Sequence, residues 1–136
     1  PKADEADLGR LIARVKLALG TAVKDVRPSK RLRDSAVCLV AEDSGMDMRL
    51  ERFMKQHNQL DALGSRILEL NPDHPITRIM KQLFEKDKGS KKLEDYCELL
   101  FDQALLTEGS PVRDPLRFTK LISDLMVAEG EILAGK

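Results

Sequence analysis

Asp73 and His74 are the only place in this chain where an acid adjoins an imidazole. Such a pair could orient the ring as a general base. Two flanking prolines favour another use. In Glu69-Leu70-Asn71-Pro72-Asp73-His74-Pro75 each Pro pushes the residue before it, Asn71 and His74, out of the helical region. The chain should stay extended through Leu70, turn, and enter a helix. Asp73 or His74 is then the N-cap, and an Asp73 carboxylate accepting from the next turn's amides explains the pair better than catalysis does. Cys38 and Cys97 lie in a strand-like and a helical run, and buried thiols are the simpler reading. With His57 and His74 they could hold Zn in principle. No Cys-x-x-Cys or His-x-x-x-His spacing gathers them, so no metal and no Cys-His nucleophile is expected. No Walker-type glycine loop, Gly-x-Ser-x-Gly elbow or helical His pair is present either.

Lys24, Arg27, Lys30, Arg31 and Arg33 form the one dense basic cluster, which raises the question of nucleic acid. Phosphate binding needs an extended patch and single-strand binding needs exposed rings. This chain is 4% aromatic, with 23 basic and 23 acidic residues, so a solvated strand and loop face is the better account. No apolar run is long enough to span a bilayer. At 136 residues and 42% hydrophobic, one domain is expected, and such a chain can bury roughly two-thirds of its unfolded surface. No signal peptide is visible. The chain starts at Pro1 without an initiator Met, which points to a piece of a longer protein. This cysteine usage suits the reducing cytoplasm.

The elements that must position these residues read as an α+β core. Leu8, Leu11, Ile12, Val15, Ala18 and Leu19 make a first helical stripe that Gly20 can end in a left-handed cap. Residues 21–27, 36–41 and 65–70 read as three strands. The run from Ala36 to Ala41 is apolar on both faces, as a central strand would be. Ile76, Ile79, Met80, Leu83 and Phe84 then recur at helical spacing.

The last third is helical and more apolar than one buried face requires. Leu93, Tyr96, Cys97, Leu100 and Ala104 make one stripe, with Leu99, Phe101, Leu105 and Leu106 lying off it. After a loop containing Gly109, Ser110, Pro111 and Asp114-Pro115, a final helix carries Phe118, Leu121, Ile122, Leu125, Met126 and Val127. A helical hairpin with two apolar faces needs a second partner surface. Pairing it across a two-fold axis would give a four-helix bundle. In the tail from Ala128, Gly130 weakens the helix. The segment from Ser44 to His57 is a second amphipathic candidate. Met46, Leu50, Phe53 and Met54 fall on one face, and from the residues alone such a stripe packs on the core.

Several of these stretches also look familiar as a series. Val23-Lys24-Asp25-Val26-Arg27, Arg31-Leu32 with Asp34-Ser35, the Asn-Pro-Asp-His turn, Leu99 to Leu106, Glu108-Gly109 and Asp114-Pro115 with Phe118 occur in order. Together they resemble the C-terminal dimerisation domain of the ninety-kilodalton heat-shock chaperone family, nearest its bacterial HtpG type, over nearly the whole chain. The resemblance implies one domain over residues 1–136. Residues 1–90 would form the α+β core, with a client-contact helix at 46–57, and residues 91–136 the helical dimerisation layer. It implies a homodimer, with Leu100, Leu121, Ile122, Leu125 and Met126 as interface residues. It implies that Met46, Leu50, Phe53 and Met54, which match the family's spacing, bind unfolded client proteins. ATP and Mg would belong to other domains of the full-length protein, leaving this fragment without cofactor or ATPase activity. The tail lacks the Met-Glu-Glu-Val-Asp end that tetratricopeptide-repeat co-chaperones dock on. A cytoplasmic protein with no membrane or nucleic-acid partner is expected. The rival is a stand-alone helical scaffold or DNA-binding dimer without chaperone activity.

Overall fold

The computed structural model describes residues 2–30, 34–41 and 66–135. Helix α1 (Lys2–Leu19) leads through a short 3-10 turn (Gly20–Ala22) into strand β1 (Asp25–Pro28). Strands β2 (Val37–Ala41) and β3 (Arg66–Leu70) follow, and then helices α2 (Pro75–Lys86), α3 (Lys91–Glu108) and α4 (Pro115–Leu133). The α+β class expected from the sequence is what is seen. Gly20 has φ +56° and turns the chain out of α1, a conformation that strains a residue with a Cβ. The first strand starts later than expected, because Gly20, Thr21 and Ala22 are taken up by the 3-10 turn.

The three strands run in the order β1-β3-β2, with β3 parallel to β1 and antiparallel to β2. The middle strand is therefore β3 and not the apolar run at 36–41, which forms β2 at one side of the described sheet. Composition misleads here because β3 carries Arg66 and Glu69, both buried, and their partners offset the cost. Glu69 is 5% exposed and accepts from Arg27 Nε of β1 at 2.8 Å. Leu68 sits opposite Val26 on one side and Leu39 on the other, which carries one apolar layer across all three strands.

That layer meets Leu11 and Val15 of α1, Met80 of α2, and Leu93, Cys97, Phe101 and Leu105 of α3 in one core. The turn between β3 and α2 is held by Asn71, which is 1% exposed. Its Nδ2 donates to Ser35 O at 3.0 Å and its Oδ1 accepts from Asp73 N at 3.0 Å. Its backbone N donates to Ala36 O, and its backbone O accepts from Thr77 Oγ1 at 2.7 Å. Through its backbone and side chain together, this one residue fastens the end of β3 to the lead-in of β2 and to the first turn of α2. The N-cap of α2 is His74, whose Nδ1 accepts from Ile76 N at 3.1 Å. Asp73, preferred as the cap from the sequence, is exposed one residue too early. The β-region backbone forced on His74 by Pro75 is the geometry a cap requires.

Candidate functional site

Helix α4 departs most from a self-contained fold. Asp114 caps it by accepting from Arg117 N at 3.2 Å, and Pro115 begins it where a missing N–H costs nothing. It continues through Gly130 to Leu133, because one Gly costs about 1 kcal/mol and Ala128, Glu129, Glu131 and Leu133 around it favour helix. Of its 19 residues only Leu121 is buried. Phe118, Leu121 and Leu125, at i, i+3 and i+7, form the inward stripe, with Phe118 and Leu125 half-buried. Ile122, Met126 and Leu133, at i, i+4 and i+11, form an adjacent stripe open to solvent, and Leu116, Val127 and Ile132 are exposed too. Met126 is 68% exposed and Leu133 79%.

The expected interface residues therefore divide. Ile122 and Met126 lie on the open stripe. Leu121 and Leu125 face inward, and Leu100 of α3 is 4% exposed within the core of the single chain, where packing already uses its surface. Met46, Leu50, Phe53 and Met54 lie outside the described residues, as does His57. Cys97 is buried in the core and burial pushes its thiol up to about 12, so no thiolate nucleophile forms at neutral pH. The Cys38 Sγ lies 3.8 Å from Glu69 Oε1. Among the described residues no group of three or more metal-ligating side chains is gathered, and no helix is long and apolar enough to cross a membrane.

The root of the hairpin is polar, and sequence reading missed it. Arg117, in the first turn of α4, grips Glu98 of α3 with Nε at 2.7 Å and Nη2 at 3.1 Å, and reaches Asp95 at 3.4 Å. In the preceding loop Arg113 lies 3.6 Å from Asp102, with its guanidinium carbon 4.5 Å over the Phe101 ring. Asp95, Glu98 and Asp102 are one acidic row on α3 at i, i+3 and i+7, and Arg113 and Arg117 answer at i and i+4. That matched spacing was the available signal. A second tie holds the end of α3, where buried Arg66 of β3 lies 3.3 Å from Glu108, whose other oxygen accepts from Ser110 Oγ. Gly109 closes α3 at φ +92°.

The Arg117 hydrogen bonds hold the Glu98 carboxyl below its ordinary value of 4.5. Burial raises Asp102, against the pull of Arg113. A lowered carboxyl contributes stability that is complete above the unfolded value and is lost as pH falls through the folded one. The raised Asp102 works the other way, its ionised form being the strained one. Glu98→Gln is thus expected to shrink the stability lost on acidification from roughly pH 5 to 3, in urea melts at each pH. An acid limb unchanged from wild type would show that the pair contributes nothing.

Comparison with known proteins fits this architecture. The family model described as Hsp90 protein matches residues 1–134. The chain is 56% identical over 128 residues to the chaperone protein HtpG of Geobacter sulfurreducens and 54% identical to that of Geobacter metallireducens, each match covering 94% of this chain. With the HtpG of Roseobacter denitrificans the identity is 47% over 92% of the chain. The chain spans 20–22% of the length of these relatives. At this extent and identity, the chain belongs to the Hsp90 family of chaperones.

Proposed function

We propose that this chain is the homodimerisation domain of an HtpG-like chaperone, holding two protomers together through α4. The observation that carries the reading is the open stripe of Ile122, Met126 and Leu133 on a helix whose inward stripe is already engaged. Exposed apolar residues aligned on one face of such a helix mark an interaction surface. Two α3–α4 hairpins meeting across a two-fold axis cover them in a four-helix bundle, and an isologous contact needs only one self-complementary patch. Joining two protomers raises the effective concentration of whatever each carries beyond this domain, so contacts between those parts become intramolecular. In the full-length protein those parts would bind and hydrolyse ATP with Mg in the cytoplasm. Family membership disfavours the rival of a DNA-binding scaffold. The direct test is sedimentation equilibrium of the 136-residue chain. A dimer is expected, and a monomer at tens of micromolar would end this reading.

Client binding is the second part of the proposal. Met46, Leu50, Phe53 and Met54 share one face at helical spacing, and a methionine-bearing face adapts to partners of many shapes. If that face serves unfolded proteins, replacing Leu50 and Phe53 together with Ser should lower suppression of client aggregation several-fold while the melting temperature stays within a few degrees. A fall in stability of several kcal/mol, as in core truncations, would assign the face to the core instead.

A further inference from the structure

Apolar contact does little to fix the direction in which α4 leaves α3. Beyond Arg117 and the inward stripe of Phe118, Leu121 and Leu125 the helix is exposed, and from Met126 onward every described residue is open to solvent. The helix is about 28 Å long, so a 10° change at its root sweeps its far end by about 5 Å. That is half the usual spacing between packed helices and enough to unseat a knobs-into-holes seam. Something must set the angle, and the polar root is placed to do so. Arg117 holds Glu98 with two nitrogens, a fork that fixes orientation as well as distance. Asp95 takes a third contact from the same guanidinium, and Arg113 binds the loop to Asp102 and to the face of Phe101.

We infer that Arg117 and Glu98, flanked by Asp95, Asp102 and Arg113, are the positioning residues of the dimer. Their paired acids and arginines aim α4 so that Ile122, Met126 and Leu133 present one continuous face to a second copy. The inference rests on the dimer reading above. It extends that reading by placing residues outside the apolar seam in control of its strength. Arg117 and Glu98 pair with each other at the root of the hairpin, so they act through the angle of the helix.

The test uses the 136-residue chain in three variants, Arg117→Met, Glu98→Gln and the two together, with Arg117→Lys as the conservative control. Met keeps much of the arginine's apolar stem, so the change removes the fork while sparing its packing. Sedimentation equilibrium reads the dimer dissociation constant, and circular dichroism confirms that each variant is folded. Each single change should raise the constant by about tenfold, and the double change should do no worse than either alone, because both remove the same contact. Arg117→Lys, which keeps the charge and loses the fork, should fall between wild type and Arg117→Met. Folded variants that dimerise within about threefold of wild type, or losses that simply multiply in the double variant, would overturn the assignment. A monomeric wild type would remove the dimer reading itself, and this inference with it. A dimeric wild type with unaffected variants removes this inference alone.

Discussion

Met126→Asp is expected to turn the dimer into a folded monomer. The side chain is 68% exposed in the single chain, so a carboxylate there meets water and costs the isolated protomer little. In a two-fold seam the same carboxylate enters twice and must lose its water without a partner. Even at the about 1–3 kcal/mol measured for uncompensated polar groups, two copies cost about 2–6 kcal/mol, roughly 30-fold or more in the dissociation constant. Sedimentation equilibrium against protein concentration reads this directly, with the melting temperature extrapolated to low concentration as the control, since dimerisation itself raises apparent stability. Leu121→Asp should behave differently. Leu121 packs inward and is 5% exposed, so its loss should lower stability at every concentration. Leu125, half-buried on the same inward stripe, should resemble Leu121 more than Met126. A Met126→Asp chain that stays dimeric with wild-type affinity would move the interface off this stripe.

The contrast between Met126 and Leu121 marks where sequence reading stops. Periodicity found both residues on an apolar helix, because a 3.6-residue repeat survives whatever the surroundings. It could not say which stripe faces α3, since that depends on the crossing angle of two helices. Nor could it see that Leu100 belongs to the core. The first helix, its Gly20 exit, the α+β class and the turn after Leu70 were legible because local chemistry decides them. The order of the strands was not. The apolar run at 36–41 looked central, and β3 looked less so because its buried Glu69 is answered by Arg27, 42 residues away. The Arg117 fork escaped for the same reason, its partner lying 19 residues back on another helix. The spacing of the charges hints that two helices answer each other, but which acid meets which arginine is fixed only when topology brings the elements together.

The Asn-Pro-Asp-His turn gives the second large effect, at Asn71 and not at the adjacent acid and imidazole. Asn71→Ala removes the donor to Ser35 O and the acceptor for Asp73 N in a site 1% exposed. Ser35 and Asp73 are themselves exposed, so water can take over part of what the amide held, and each lost bond is worth about 0.5–1.5 kcal/mol. The expected loss is roughly 1–3 kcal/mol, or about 4–12 °C in melting temperature for a domain of this size. His74→Ala removes only the cap on Ile76 N and should cost about 1 kcal/mol. Asp73→Ala, at an exposed position whose backbone N makes the useful contact, should stay within about 0.5 kcal/mol. The order Asn71, His74, Asp73 in urea or thermal melts is the discriminating result. If Asp73 proved the costliest of the three, its carboxylate would be the cap that the sequence favoured. The ranking follows from what each side chain holds, since the Asn71 amide ties the lead-in of β2 to the turn before α2 with two bonds, His74 serves one helix end with one, and Asp73 faces water.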